Sequence, residues 1–147
     1  MNWKLKKFTD LKLEEIYNIL QLRNEVFIVE QECAFQDCDG KDQDAYHLFL
    51  EDNSNVVACL RILKKGVSYD QVSIGRVVVS KNYRGKSIAR KMMLKAIDFI
   101  RQNLNETEIK IQAQSYLFDF YGSLGFKKVS EEYLEDNIPH IDMLYKR

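Results

Sequence analysis

The apolar residues follow two different spacings along the chain, and together these spacings predict a mixed order of strands and helices. Alternating or β-branched runs predict strands at residues 2–7, 45–50, 56–63, 71–79 and 109–113. Turn-prone residues separate the three middle strands, so we expect these strands to form an antiparallel meander. A closing hairpin is predicted from residues 126–133 and 141–145, around Pro139.

Three segments have the apolar spacing that is typical of a helix. We expect the first helix to begin at a cap formed by Thr9 or Asp10 and to run to about residue 29. Its apolar positions are Leu13, Ile16, Leu20 and Phe27. The second helix, at residues 84–104, has the clearest apolar face, and a short third helix is predicted at residues 115–124.

Length and composition restrict the classes of protein to which the chain can belong. Its 147 residues fit one compact domain, 1–147. Lys and Arg number 22 and Asp and Glu also number 22, so no overall positive charge favours binding of nucleic acid or of an acidic membrane. No window approaches the ~20 apolar residues of a membrane span. Three cysteines without a Cys-x-x-Cys pair fit a reducing compartment, so the sequence predicts a cytoplasmic protein without a metal site.

The most informative segment is 77–90, where a β-branched run turns through a basic, glycine-containing corner into the second helix. The first N–H groups of a helix have no partner inside the helix and lie at the positive end of its dipole, so this corner is a candidate anion site. A Walker A loop would need glycine where Ser80 stands, five positions before Gly85 with four residues between them. A nucleotide-hydrolase site is therefore the weaker interpretation of this anion site.

Residues 84–89 read Arg-Gly-Lys-Ser-Ile-Ala, and residues 120–126 read Phe-Tyr-Gly-Ser-Leu-Gly-Phe. These two motifs resemble the Arg-x-x-Gly-x-Gly/Ala corner and the Phe-Tyr-x-x-x-Gly-Phe signature of one known superfamily, the Gcn5-related N-acetyltransferases (GNAT). Segments 22–31, 39–42 and 138–140 resemble the ElaA-like branch. One departure is Ser87, which stands where the family usually has glycine. Its side chain either crowds an incoming phosphate or donates a hydrogen bond to it.

The resemblance implies an α/β (α+β) fold with a central mixed, mostly antiparallel sheet of six to seven strands and about four flanking helices. The sheet is expected to be splayed between the strands at 71–79 and 109–113. The implied reaction is transfer of the acetyl group of acetyl-CoA to a small-molecule amine or a peptide N-terminus, by direct attack through a tetrahedral intermediate. The residues leave the oligomeric state open between a monomer and a homodimer. The residues implied to bind acetyl-CoA are Val77, Val78, Val79, Arg84, Gly85, Lys86, Ser87, Ile88, Ala89 and Tyr121.

Amine acetylation needs one group that takes a proton from the amine and another that donates one to the sulfur of CoA. The resemblance implies that Tyr121 is the general acid, although its position in an apolar helical face also fits a core residue. Candidates for the base are Glu25, Glu30, His47, Asp142 and His140, with relay through water as an alternative. His140 is the candidate named for the base or for a substrate contact, because histidine exchanges protons near neutral pH, although a hydrogen-bonded structural histidine in the closing hairpin fits this position equally. Candidate acceptor contacts are Arg23, Glu25, Glu30 and His140.

The role of the long acidic loop at residues 31–44 is open at this point. The carboxylates of this loop either attract a cationic amine or are merely solvated. They belong to Glu32, Asp37, Asp39, Asp42 and Asp44.

A second class of function is also open. If Ser87 impairs the anion site or the amine pocket is blocked, the domain would instead bind acetyl-CoA as a sensing or interaction module with little catalysis.

Overall fold

The computed structural model describes residues 1–146, which form eight strands and three α-helices. The strands are β1 Asn2–Lys7, β2 Ala45–Asp52, β3 Asn55–Leu63, β4 Val72–Val79, β5 Glu108–Gln114, β6 Phe126–Lys128, β7 Tyr133–Glu135 and β8 Ile138–Lys146. The helices are α1 Leu13–Arg23, α2 Ile88–Asn103 and α3 Phe118–Ser123. A π-helical segment, Asn24–Glu30, continues α1. The expected α+β class is confirmed, with one more strand and one fewer α-helix than expected.

All eight strands belong to one sheet, in the order β1-β2-β3-β4-β5-β8-β6, with β7 also paired to β8. Strands β2 to β4 form the expected antiparallel meander, and β1 pairs antiparallel with β2 at the edge of the sheet. Strand β5 is parallel to β4, but only Val72 and Ser73 of β4 pair with β5. Beyond these two residues the parallel strands separate, which confirms the expected splay.

The hydrophobic core lies on both faces of the sheet, because neighbouring residues in a strand point to opposite faces. On one face, Leu48 and Leu60 belong to the core that α2 completes with residues such as Met92. On the other face, Phe49 and Cys59 pack with residues of α1. The sheet is therefore a layer between α1 and α2.

The first helix begins later than predicted. Residues Phe8–Asp10 form a separate 3₁₀ turn, and α1 starts after Lys12. The reason is local, since the Glu15 carboxylate accepts a hydrogen bond of 2.8 Å from the backbone N–H of Lys12. The buried face of α1 also differs from the predicted apolar face, because Leu13 is 84% exposed. The buried residues of α1 and its π-helical continuation are Glu15, Ile19, Leu22, Arg23 and Val26.

The closing hairpin is confirmed in outline, but Pro139 does not form its turn. Asp136 and Asn137 make the turn with positive φ angles of 51° and 63°, a geometry that suits a tight hairpin. Pro139 lies in β8 and pairs with Leu134. The predicted strand 126–133 divides into β6 and β7, because the Ser130 hydroxyl accepts a hydrogen bond from the backbone N–H of Asp142 between the two ladders.

Candidate active site

The separation of β4 from β5 opens a cleft with a volume of about 1110 Å³. Its walls are formed by β4, the start of α2, residues of α3, the loop after the π-helical segment and the turn between β7 and β8. Most of the residues expected to bind acetyl-CoA line this cleft. These residues are Val77, Val78, Val79, Arg84, Gly85, Ser87, Ile88, Ala89 and Tyr121.

The corner before α2 presents a row of backbone N–H groups at one end of the cleft. Helix α2 begins at Ile88, four residues later than predicted, because Gly85 and Ser87 have positive φ angles of 78° and 62°. The first intrahelical bond runs from the N–H of Lys91 to the carbonyl of Ser87. Within residues 1–146, no group accepts a hydrogen bond from the amides of residues 85–90. Unpaired amides at a helix start favour an anion here.

Ser87 adopts a backbone conformation that glycine reaches without strain. Its φ and ψ angles are 62° and 20°, in the left-handed region. Its side chain makes no hydrogen bond that caps α2, and the residue is exposed. The departure from the family pattern therefore changes the side chain at this corner and leaves the left-handed backbone in place.

The basic side chains of the corner do not all point toward the amides. The Arg84 guanidinium lies 2.6 Å from one carboxylate oxygen of Glu30 and donates to the Val79 carbonyl at 3.0 Å. The Lys86 ammonium lies over the ring of Tyr83, and Lys86 does not line the cleft. The backbone amides, more than the side chains of Arg84 or Lys86, are therefore the groups at this end of the cleft that favour an anion.

Strand β4 contains a β-bulge midway along the cleft, which the sequence analysis did not predict. Cys59 pairs with Val78 but Arg61 pairs with Gly75, so two residues of β4 face one residue of β3. The bulged residue Arg76 has a positive φ of 53°. A glycine within a strand run was the available signal for this irregularity, since Gly75 directly precedes it.

Tyr121 lies where α3 meets the cleft. Its side chain is buried among aromatic rings, including Phe120 and Phe126, and it lines the cleft. No residue of the described part of the chain forms a hydrogen bond with its hydroxyl. Burial raises the pKa of Tyr121 well above its usual range, and Tyr116 adds to the shift. The phenol therefore stays protonated across the neutral range, as a proton donor must.

Two of the five candidate bases line the cleft, His140 and Glu30. The Nδ1 atom of His140 lies 2.7 Å from the Ile138 carbonyl, which can only accept, so Nδ1 carries the hydrogen and Nε2 is free to accept a proton. The ion pair with Arg84 lowers the pKa of Glu30, which makes this carboxylate a weaker base.

The other three candidate bases lie outside the lining of the cleft. His47 is buried against the backbone carbonyl of Asp42. Asp142 is the acceptor for the Tyr133 hydroxyl at 2.5 Å, and Glu25 is exposed. Of the expected acceptor contacts, Arg23 is also withdrawn from the cleft, with only 1% of its side chain exposed. This burial argues against direct contact of Arg23 with an acceptor.

Arginines neutralise three of the five carboxylates of the acidic loop, which neither interpretation predicted, whereas Glu32 and Asp44 are exposed, as the solvated interpretation expects. Asp37 and Asp42 are buried, and both form ion pairs of 2.8 Å with Arg23. Asp39 forms a bidentate pair with Arg61. Sequence patterns did not identify Arg61 as part of the site, since it lies inside an apolar strand.

Among residues 1–146, no group of His, Cys, Asp or Glu side chains has a geometry that could hold a metal ion, and no helix is long and apolar enough to span a membrane.

A cleft between two diverging parallel strands, with unpaired amides at one end, is the arrangement expected of an acyl-CoA N-acyltransferase. The chain is 41% identical to an acyl-CoA N-acyltransferase from Pseudomonas aeruginosa whose crystal structure superposes with a TM-score of 0.93, over 99% of both chains. The crystal structure of Escherichia coli ElaA gives a TM-score of 0.92 at 38% identity, covering 99% of this chain and 100% of that one.

Sequence comparisons identify the same family. The sequence profile described as acetyltransferase (GNAT) domain matches residues 8–147. ElaA of Escherichia coli K12 is 39% identical over 145 residues, which cover 97% of this chain and 95% of ElaA. A UPF0039 protein of Synechocystis is 36% identical over 147 residues, covering 99% of this chain and 96% of that protein. The chain belongs to the GNAT acetyltransferase family, and its relatives include ElaA.

Proposed function

We propose that this protein transfers the acetyl group of acetyl-CoA to a primary amine. The observation that carries the proposal is the row of unpaired amides at residues 85–90, at one end of a cleft that continues past Tyr121. A pyrophosphate is the part of acetyl-CoA that fits such a row, because backbone N–H groups and the helix dipole both favour its charge. The Ser87 hydroxyl, which does not cap the helix, adds a further donor.

Beyond this phosphate cradle, the open edge of β4 supports binding of the pantetheine arm. Only Val72 and Ser73 of β4 pair with β5. From Ile74 to Val79, the edge of β4 that faces β5 therefore has no strand beside it. An extended chain with amide groups can add to such an edge as a further strand. The thioester would then lie farther along β4, toward Arg76 and the turn between β7 and β8.

The transfer forms a bond between the amine nitrogen and the acetyl carbon, and it breaks the bond between that carbon and sulfur. The tetrahedral intermediate collapses when the CoA thiolate leaves, and we assign Tyr121 as the general acid that protonates it. Burial raises the pKa of Tyr121, and the same desolvation acts on a thiolate beside it. The two pKa values therefore shift in the same direction, which keeps proton transfer feasible.

We assign His140 as the group that takes the proton from the amine, directly or through water. Its Nδ1 hydrogen is held by the Ile138 carbonyl, so the ring is fixed in the tautomer whose Nε2 accepts a proton. The ring stacks on Tyr133, which restricts its orientation. His140 lines the cleft with Glu135 and Asp136, whose carboxylates favour a cationic amine at this end.

A thiol-release assay over small amines, polyamines, amino sugars and peptide N-termini tests the proposal. Release of free CoA that depends on the amine, together with a mass increase of the amine by one acetyl group, is the expected result. The variant His140→Gln keeps a polar side chain but cannot take up the proton, so we expect its turnover to fall about tenfold or more. Acetyl-CoA that binds but is not consumed with any amine would instead support a binding module.

A further inference from the structure

Six charged side chains at the acceptor end of the cleft form a closed ring of alternating sign. In order, the members of this charge ring are Arg23, Asp37, Arg76, Asp39, Arg61 and Asp42. Successive nitrogen-to-oxygen distances around it are 2.8, 2.8, 3.5, 2.7, 3.0 and 2.8 Å. Three positive and three negative charges balance, so the ring adds no net charge to the cleft.

The charge ring joins four parts of the fold that are separate along the chain. Its arginines come one each from α1, β3 and the bulge of β4, and all three aspartates come from the loop 31–44. Four side chains are largely withdrawn from solvent, with exposures between 1% for Arg23 and 11% for Asp42. The two most exposed members are Arg76 and Asp39, at 25% and 26%, and both line the cleft.

Stability alone is a poor explanation for this ring. Desolvation offsets much of the attraction between buried charges, so apolar residues of similar size often give equal stability. The ring also includes a strained residue, because Arg76 has a left-handed backbone within a strand. Such a conformation is unfavourable for a residue with a Cβ atom, and it persists only where its surroundings hold it.

We propose that the charge ring is a positioning device that holds the β4 bulge at Arg76 and fixes the loop 31–44 against it. Arg76 contacts two aspartates of this loop: its Nη2 donates to the Asp37 carbonyl at 3.0 Å and lies 3.5 Å from Asp39. Its Nε lies 2.8 Å from the Asp37 carboxylate, as an ion pair without hydrogen-bond geometry. Its guanidinium also lies over the ring of Phe35, 5.7 Å from the centroid. The role in catalysis rests on the proposed function, and Arg76 acts in it as a positioning residue.

Two substitutions at Arg76 separate a positioning role from direct contact with the acceptor. Both Arg76→Ala and Arg76→Gly remove the anchored side chain, but only glycine adopts the left-handed backbone without strain. Positioning predicts that Arg76→Ala lowers kcat about tenfold or more, while Arg76→Gly keeps several-fold more activity than Arg76→Ala. Acetyl-CoA should still bind both variants, with a KM raised by less than kcat falls, because the phosphate cradle at residues 85–90 is untouched while the β4 edge loosens. Equal loss in the two variants, with a raised KM for the amine, would overturn the positioning role.

Hydrogen exchange of the β4 amides tests the ring without any need for turnover. We expect exchange in residues 74–79 to be about tenfold faster in Arg76→Ala, and in the milder ring-opening variant Asp39→Asn, than in the wild type. Exchange in β5 should be unchanged. Lys65→Ala, which breaks an exposed ion pair with Glu106, is the matched control and should have no effect. Unchanged exchange in both ring variants would overturn the proposal, whereas absence of turnover in the wild type would overturn only the proposed function.

Discussion

At the scale of single residues, Ser87 is the position where this chain departs from its family. The residue has a left-handed backbone with φ of 62°, at the turn that presents the unpaired amides. The sequence could identify the departure but could not give the backbone angle. The row of unpaired amides forms with serine at position 87. The serine therefore adds local backbone strain but does not remove the candidate anion site.

Replacement of Ser87 separates its Cβ atom from its hydroxyl. Ser87→Gly removes the left-handed strain, so we expect the free energy of unfolding to rise by up to about 1 kcal/mol. Ser87→Ala keeps the strain and loses only the hydroxyl, so its stability should stay close to that of the wild type. Calorimetry should find an acetyl-CoA affinity about tenfold weaker than wild type for Ser87→Gly, because one hydroxyl donor is lost while the backbone donors are retained. A much larger loss of affinity in Ser87→Gly would show that the hydroxyl is essential.

Tyr121 carries the residue-level test of the chemistry. Tyr121→Phe retains the ring but removes the proton donor, so kcat should fall about tenfold or more while the Kd for acetyl-CoA stays constant. Because burial raises the pKa of Tyr121, we expect no loss of kcat from its ionisation between pH 7 and about pH 10. Tyr17→Phe, on the exposed side of α1, serves as the control. Unchanged kcat in Tyr121→Phe with a good amine would exclude Tyr121 as the acid.

Sequence motifs identified the cleft well at this scale but not the pairing of its charges. The corner and the Tyr121 signature both line the same cleft. The ion pair between Arg84 and Glu30 was not predictable, because 54 residues separate its partners along the chain. The left-handed backbone of Arg76 was not predicted either. The ion pairs of this residue join it to the loop 31–44, which is also distant along the chain.

At the scale of elements, Glu15 connects the first strand to the first helix. Its carboxylate lies 3.0 Å from the ammonium groups of both Lys4 and Lys6 in β1, and it also accepts the Lys12 N–H. Burial alone would raise the pKa of Glu15, but these hydrogen bonds outweigh burial and lower the pKa to about 2. A carboxylate at the start of α1 also interacts favourably with the helix dipole.

A pH series tests this connection. A lowered pKa means that the stabilising effect of Glu15 is complete above its ordinary value of 4.5 and is lost as the pH falls toward 2. Glu15→Gln should therefore lower the free energy of unfolding by roughly 2 to 3 kcal/mol at pH 7, and by much less near pH 2. Glu14→Gln, at the neighbouring exposed position, should change it by less than about 0.5 kcal/mol. A constant difference between wild type and Glu15→Gln from pH 7 to pH 2.5 would contradict this account.

Element types were predictable, whereas their ends and faces were less so. The spacing of apolar residues correctly indicated the meander and the long helix α2. The start of α1 depends on the hydrogen bond from the Lys12 N–H to the Glu15 carboxylate, so Thr9 and Asp10 were the wrong choice of cap. Pro139 was wrongly placed in a turn because the positive φ angles of Asp136 and Asn137 already close the hairpin.

At the scale of the whole molecule, one splayed sheet brings the phosphate cradle, Tyr121 and His140 into a single cleft. The family resemblance was sufficient to predict the splay. The charge ring was beyond sequence patterns, since its partners approach each other only when α1, β3, β4 and the loop 31–44 are assembled. The acidic loop was therefore open to two interpretations, and ion pairing with buried arginines was neither of them.

The most direct test of the account compares the binding of acetyl-CoA, CoA and acetyl-pantetheine by calorimetry. Acetyl-pantetheine keeps the thioester and the arm but lacks the pyrophosphate that the amides of residues 85–90 would hold. We predict that acetyl-CoA and CoA bind with similar Kd and that acetyl-pantetheine binds at least about 100-fold more weakly, a difference of about 2.7 kcal/mol. Equal affinity for acetyl-CoA and acetyl-pantetheine would contradict the assignment of the helix start as the cradle for the pyrophosphate of acetyl-CoA.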